Sequence, residues 1–218
     1  MKKIITADKS ETFLHPLLQE SYHSHTGAVE ESLKKFVEPC KIKELAKTGS
    51  VKILDMFFGM GYNSSMAVSV ALKENPDCVV EVIGVENDSK IVEKIQSVNP
   101  DIHFFNNYKK ITKNNLSFTT GNVTVTLLLG DAQEQVKHLQ DSHFDAIFYD
   151  PFSPKKQPEV WSEELFAEMA RVMERTAILA TYSCARMVRE NMAAAGLFWN
   201  DGPKVGRRGP GPVATKWA

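Results

Sequence analysis

Apolar runs of strand length alternate with stretches of helical spacing from Val51 onward, and this alternation constrains the fold more than any other feature of the chain. Val51 to Phe57 (VKILDMF) reads as a buried strand and Asn63 to Lys73 as a helix with Asn63 or Ser64 as its cap. Val79 to Glu86 (VVEVIGVE) is a second strand, and Ser89 to Ser97 a short helix closed by Asn99-Pro100. Asn106 to Asn115 reads as a lysine-rich loop or ragged helix. Asn122 to Leu129 is a third strand, followed by a helix over Ala132 to Leu139. Phe144 to Tyr149 (FDAIFY) is a fourth strand, followed by a helix over Ser162 to Met173 with Ser162 as cap. Arg175 to Tyr182 is a fifth, followed by a helix over Arg186 to Ala195 that stops at Gly196. Leu197 to Trp217 holds one or two short strands around a Gly/Pro/Arg-rich loop.

Strands alternating with helices predict an α/β protein with a Rossmann-like, mostly parallel central sheet and helices on both faces. The length of 218 residues suits one domain. The expected division is an N-terminal extension, residues 1–50, in front of a main domain, residues 51–218. Within the extension, Glu30 to Val37 has helical spacing of Leu33, Phe36 and Val37, whereas Tyr22 to Ala28 shows little strand or helix pattern.

With 43% hydrophobic and 24% charged residues, disorder is not expected over most of the chain. The N-terminal MKKIITADKSETF lacks the apolar core of a signal peptide, and no window approaches a membrane span, so a soluble cytoplasmic protein is expected. Cys40, Cys78 and Cys184 are too scattered for a zinc site or a disulfide framework, and the expectation is reduced, mostly buried thiols and no metal. The net charge of −1 argues against a nucleic-acid binder held by a global basic field. Locally basic stretches remain: Lys109, Lys110 and Lys113; Lys155 and Lys156; and Lys204, Arg207, Arg208 and Lys216, the last group free of acidic neighbours. They are either one basic face or scattered solvated lysines.

In such a sheet, ligands bind beyond the carboxyl ends of the strands. The first end reads DMFFGMGYN, Asp55 to Asn63, where Gly59 and Gly61 let the backbone approach a ligand at a helix N-terminus. Ser64 stands where the dinucleotide fingerprint has its third glycine, which disfavours an NAD oxidoreductase. Glu86, 25 residues after Gly61, is placed to accept hydrogen bonds from ribose hydroxyls. Gly130-Asp131 taken alone reads as a turn and helix cap. The fourth end, FYDPFSPKKQPEVW, sets Asp150 after an apolar strand and before a loop stiffened by Pro151, Pro154 and Pro158. Asp150 either orients an amine or caps that loop, and Phe152 either stacks on a ligand or packs in the core.

DAIFYDPFSPKKQPEVWSEELF, Asp145 to Phe166, closely resembles a segment of the MnmC-type tRNA methyltransferase domain. The likeness extends to TADKSETFLHPLLQESYHSHTGAVEES, DMFFGMGYNS, ATYSCARMVRENMAAAGLFW and KVGRRGPGPVATKW, spanning nearly the whole chain. Two departures are a family glycine replaced by Pro151 and the lack of a second dinucleotide-binding region, so the chain resembles the standalone form without the fused flavin-dependent oxidase.

The resemblance implies a class I methyltransferase that uses S-adenosylmethionine and converts 5-aminomethyl-2-thiouridine to 5-methylaminomethyl-2-thiouridine at the tRNA wobble position. It implies Asp150 at the amine, Gly59 and Gly61 along the methionine part of the donor, Glu86 at the ribose, and Asp131 with Ala132 at the adenine. Tyr22, His23, Ser24 and Asn63 complete the donor pocket, His23 with either a proton-carrying or a structural role. Phe152 is the stacking surface for a flipped base, and Lys155, Lys156, Arg207 and Arg208 meet tRNA phosphates. Separate enzymes would supply the aminomethyl precursor. A monomer is compatible with the sequence, which fixes no oligomeric state. Methyl or aminopropyl transfer to another amine, and a non-catalytic RNA-binding module, are the rival readings.

Overall fold

The computed structural model describes residues 1–205 and 209–217. An eight-stranded mixed sheet forms the centre, in the order β5-β6-β4-β3-β7-β8-β10-β9. Its strands are β3 Ser50–Met56, β4 Val79–Glu86, β5 Ser117–Thr120, β6 Val123–Leu129, β7 Phe144–Tyr149, β8 Met173–Thr181, β9 Phe198–Asp201 and β10 Pro212–Thr215. β6, β4, β3, β7 and β8 run parallel. β5 pairs antiparallel with β6 through a hairpin, and β10 and β9 extend the β8 side antiparallel. The expected mostly parallel sheet is therefore present, with β5 as an addition that its short, polar sequence concealed.

Side-chain alternation along the strands builds two cores. Ile53 of β3 joins the cluster containing Ala67, Val68 and Ala71 of α3, Tyr62–Glu74. Its neighbour Leu54 joins the opposite cluster with α6 (Ala132–Val136), α7 (Glu163–Val172) and α8 (Arg186–Ala194). Such two-sided burial is why the adjacent Ile53 and Leu54 of β3 are both apolar, and why Asp55 beside them is buried. The chain builds β3, β4 and β6 outward in one direction and then returns to place β7 on the other side of β3. That reversal opens a crevice at the carboxyl ends of β3, β4 and β7.

Ser162 caps α7 by accepting the Leu165 N–H at 3.3 Å, as its sequence predicts. The cap of α3 differs from expectation. Gly61, at φ 74°, is the cap position, and Asn63 and Ser64 lie inside the helix. A Cβ on Gly61 would come within 2.7 Å of Phe58 and Tyr108, so glycine is required there. The Ser64 N–H is met instead by Asp55 Oδ2 of β3 at 3.1 Å. A buried carboxylate on the preceding strand thus does the work of a capping side chain. Burial pushes the Asp55 carboxyl up to about 7, against the hydrogen bonds from Ser64.

The first fifty residues carry more structure than their sequence suggests. β1 (Lys2–Ile5) and β2 (Glu11–Leu14) form a separate antiparallel hairpin. The predicted helix over Glu30 to Val37 exists, but begins at α1 Ala28–Glu31 and continues as a wider π-helical turn over Ser32–Val37. Asp8 of the hairpin loop accepts the Val29 and Glu30 N–H groups at 3.1 Å each, binding the hairpin to the start of α1. Burial raises the Asp8 carboxyl, but hydrogen bonds from Ser10, Thr6 and Glu30 outweigh it and bring it down to about 2. A short α2, Ile42–Ala46, leads into β3.

Elsewhere the helices are shorter than read. α4 is Ser89–Val92 followed by a tighter turn to Ser97, α5 is a single turn at Phe105–Tyr108, and α6 ends at Val136. Cys40 and Cys78 are buried, and burial pushes both thiols up; Cys184 is exposed, contrary to the expectation of buried thiols. Among the described residues, no helix is long and apolar enough to cross a membrane, and no cluster of His, Cys, Asp or Glu could hold a metal.

Candidate active site

The crevice at the strand ends is a pocket walled on one side by the sheet and on the other by the segment His15 to Ser24. On the sheet side, the β3 end turns sharply at Phe57 (φ 65°) and Gly59 (φ 56°). Glu86, at the end of β4 and 8% exposed, fixes that turn. Its carboxylate accepts the N–H of Gly59 at 2.8 Å, of Asn87 at 2.9 Å and of Asp88 at 2.8 Å. Burial raises its pKa and these bonds oppose the rise. A carboxylate offers roughly four lone-pair sites, so about one remains for a ligand hydroxyl.

Asp131 caps α6, accepting Gln133 N–H at 2.9 Å and Glu134 N–H at 3.2 Å, both through Oδ1. It also lines the pocket beside Ala132. The cap read from its sequence and the adenine contact implied by the resemblance are therefore compatible. Phe57, Val85, Ala132 and Val160 supply apolar surface of the kind a flat heterocycle needs. Acceptors at two strand ends flanked by apolar walls fit a ribose and an adenine ring. Gly59 lines the pocket, whereas Gly61 sits behind it, against Phe58 and Tyr108.

The other wall contains Tyr22, His23 and Ser24, which the resemblance implied, and also His15 and Glu20, which it did not. Tyr22 donates its hydroxyl to Asp88 Oδ2 at 2.8 Å. Glu20 Oε2 accepts from the Ser153 hydroxyl at 2.7 Å and from its N–H at 3.3 Å. The rings of His15 and Tyr22 pack edge-on against Phe152, with centroids at 5.3 and 4.9 Å. Phe152 is thus half-buried on the pocket wall rather than in either core. This segment, a strap, is pinned both to the β4 end and to the loop after β7.

His23 is buried, hydrogen-bonded through Nδ1 to Thr12 Oγ1 at 3.0 Å and stacked on Tyr62 at 4.7 Å. Burial pushes its pKa down to about 4, against the pull of Glu31 and Asp8. At neutral pH it is an uncharged wall residue. Ser24 donates its N–H to Glu31 Oε2 at 2.7 Å.

Asp150 stands where the two walls meet. Its Oδ2 accepts from Asn63 Nδ2 at 2.9 Å. Burial raises its carboxyl well above the ordinary range, Glu31 adds to the rise, and Asn63 and Lys35 oppose it. The loop beyond is held rigidly. Phe152 O accepts from Trp161 Nε1 and Pro151 O from the Tyr182 hydroxyl, each at 2.8 Å. A half-buried carboxylate of raised proton affinity at the mouth of a cofactor-sized pocket can accept a proton and orient an amine.

Lys155 and Lys156 are exposed on the turn beyond this loop. Arg207 and Arg208 lie outside the described residues. His15, Glu20, Glu31, Lys35 and Asp88 were missed by sequence reading; none sits in a motif that announces a ligand.

Residues 97–217 match the family described as S-adenosyl-L-methionine-dependent methyltransferase. The tRNA 5-methylaminomethyl-2-thiouridine biosynthesis bifunctional protein MnmC of Pseudomonas savastanoi pv. phaseolicola is 42% identical over 93 residues, 43% of this chain and 14% of that protein. The chain therefore matches only a small part of that relative's length. The crystal structure of MnmC2 from Aquifex aeolicus superposes with a TM-score of 0.87 at 30% identity, covering 100% of this chain and 70% of that one. A probable spermidine synthase from Corynebacterium glutamicum shares the fold alone, with a TM-score of 0.52 at 12% identity over 98% of this chain and 77% of that one. The protein belongs to the MnmC-type S-adenosyl-L-methionine-dependent methyltransferases, and S-adenosylmethionine is its cofactor.

Proposed function

We propose that this enzyme methylates the primary amine of 5-aminomethyl-2-thiouridine at the tRNA wobble position, giving 5-methylaminomethyl-2-thiouridine. The observation that carries this reading is Asp150, which faces the pocket with Asn63 on one side and the Phe152 ring beside it. The biosynthetic product named for the Pseudomonas relative supports the choice of amine.

The bound cofactor supplies a methyl group already activated on a sulfonium sulfur. The residues of the chain bind, align and exclude water, which lowers the barrier by several kcal/mol when the reacting atoms are held in line. Glu86 keeps one acceptor for the ribose. Gly59 presents its backbone to the methionine part, with Gly61 setting the turn from behind. Asp131 and Ala132 face the adenine. Asn63 steers the Asp150 carboxylate, and Tyr22, His23 and Ser24 close the pocket, His23 as a neutral structural group. On this reading residues 1–50 are a cover for the cofactor pocket of the domain 51–218.

Phe152 offers a face to a wobble base turned out of its stack. Lys155 and Lys156, with Arg207 and Arg208, contact phosphate and position the RNA without reading its sequence. The precursor amine comes from separate enzymes. The protein acts in the cytoplasm as a monomer.

The test is methyl transfer from labelled S-adenosylmethionine to tRNA bearing 5-aminomethyl-2-thiouridine, with wild type and Asp150→Ala compared. Label is expected on the wobble nucleoside, with transfer reduced about 100-fold or more in the variant, the scale of a positioned acid–base group. Donor binding without transfer to this tRNA, but with transfer to a free polyamine, would move the assignment to another amine.

A further inference from the structure

The junction of α1 and the wider helical turn over Ser32–Val37 carries an ion pair that the mechanism above does not use. Glu31 Oε1 meets Lys35 Nζ at 2.5 Å, and both side chains are nearly inaccessible, at 6% and 5% exposure. Burying two charges costs several kcal/mol that their attraction only partly offsets. Such a pair needs a reason beyond stability. Glu31 lines the same pocket as Asp150, and its Oε2 is tied to the Ser24 N–H. Asn63, whose Nδ2 serves Asp150, has its Oδ1 buried with no partner. The pocket mouth therefore brings together the Asp150 carboxylate, the Glu31 carboxylate and an unused amide oxygen. Each carboxylate oxygen already bonded to Lys35, Ser24 or Asn63 keeps a second lone pair, and Asn63 Oδ1 is wholly unused.

We propose that Asp150, Glu31 and Asn63 Oδ1 form an acceptor triad that takes in the substrate amine as its ammonium ion, with Lys35 setting the triad's charge. A primary ammonium presents three N–H donors, one for each acceptor. Burial and Glu31 favour a proton on Asp150 in the empty site, and Lys35 opposes it. The incoming cation displaces that proton to water and meets two carboxylates and one lysine, a net charge of −1 that it neutralises. The groups facing Asp150 are Glu31 and Lys35 from the helical turn and Asp55 from β3. Neutral His23 from the strap and Glu86 from β4 line the same pocket.

The steps balance. The ammonium gives one proton to the Asp150 carboxylate and regains its lone pair. The N–C bond forms as the C–S bond breaks, the electron pair staying on sulfur. The product is a secondary ammonium, and the proton on Asp150 passes to water. This rests on the aminomethyl reading for the identity of the amine, but not for the triad.

The experiment uses the full chain saturated with demethylated donor, and a probe without uridine: benzylammonium against benzyl alcohol, by calorimetry at pH 7. Wild type is expected to prefer the ammonium by about tenfold or more, the scale of charge-assisted hydrogen bonds. Glu31→Gln should cut that preference to about twofold while donor affinity stays within about twofold of wild type. A merely structural role would lower donor affinity and leave the preference intact. Should Glu31→Gln fold poorly because Lys35 is left unpaired, the double variant Glu31→Gln/Lys35→Met removes both charges and should show the same loss. An ammonium preference retained in these variants, or absent in wild type, overturns the triad. Methyl transfer to tRNA assayed in parallel separates the two claims. Transfer without an ammonium preference leaves the substrate assignment standing and the triad refuted, and the reverse result does the opposite.

Discussion

The two walls of the pocket face the same space and are held by different bonds. On the sheet wall, Glu86 gathers three backbone N–H groups from residues within its own turn and the adjoining strand end. Those groups are positioned by the parallel ladder between β3 and β4. The strap wall has no such ladder; behind the pocket it is joined to β2 by an isolated bridge, Leu14 with Ser21, and by the Tyr22 N–H on Phe13 O at 3.0 Å. It is held by the Tyr22 hydroxyl on Asp88, the Glu20 carboxylate on Ser153 and three rings in edge contact. Removing one side chain from the sheet wall exposes several backbone groups to an unsatisfied state. Removing one from the strap loosens a contact that water can replace. The first wall should therefore couple ligand binding to stability, and the second should not.

The largest effect should come from Glu86→Ala. It orphans the buried Gly59 N–H, at about 1–3 kcal/mol, and takes the acceptor from the part-buried N–H groups of Asn87 and Asp88. Melting temperature should fall by about 5 °C or more, with donor binding reduced at least about tenfold. A variant that lost donor binding at unchanged melting temperature would erase the distinction between the walls.

Asp55 gives a pH-dependent test of the same wall. Its carboxyl is held at about 7 in the fold, above its ordinary value of 3.8. The folded state keeps a proton that the unfolded chain releases. The associated stability is complete below about pH 4 and is lost as pH rises through about 7, at about 1.4 kcal/mol per unit. Glu86 and Asp150 shift the same way. Asp55→Asn can still accept the Ser64 N–H. It should flatten part of the fall in melting temperature between pH 4 and 8, and an unchanged slope would contradict the buried-carboxyl account.

The smallest effect belongs to the strap. Tyr22→Phe removes one hydrogen bond to a carboxylate, and donor affinity should fall about three- to tenfold with melting temperature within about 2 °C of wild type. A stability loss as large as that of Glu86→Ala would show the strap to be part of the structural core.

The sheet wall was legible in the sequence because its strands are buried on both faces and end in glycine or an acidic residue. Gly59, Glu86, Asp131 and Asp150 all fall at those ends. The strap, which has no regular element, showed no periodicity; Tyr22, His23 and Ser24 were placed at the pocket through the resemblance alone, and the hairpin behind them, with strands of four residues each, was too short for alternation to stand out. The sharpest lesson lies in two neighbouring pairs. Glu30–Lys34 and Glu31–Lys35 have the same chemistry at the same i,i+4 spacing. The first is 2.9 Å apart with side chains 43% and 47% exposed, an ordinary surface pair. The second is buried against the pocket. One residue of helical phase separates them, and sequence alone cannot say which face turns inward when the turn widens to a π-helical one. The cap of α3 was misread for a related reason: its acceptor, Asp55, is nine residues upstream, beyond the reach of local capping patterns.

The separation in sequence between the strap and its anchors has a kinetic consequence. Tyr22 and Asp88 lie 66 positions apart, and Glu20 and Ser153 lie 133 apart. Contacts that close such long loops form after local and neighbouring-strand contacts. The anchors at the β4 end and in the loop after β7 exist only once the parallel sheet is assembled, so a segment that comes before the sheet in the chain is placed after it in folding. Docking of the strap is therefore expected to follow assembly of the sheet, and amide hydrogen exchange at Tyr22 and Ser24 is expected to outpace that in β3 and β4.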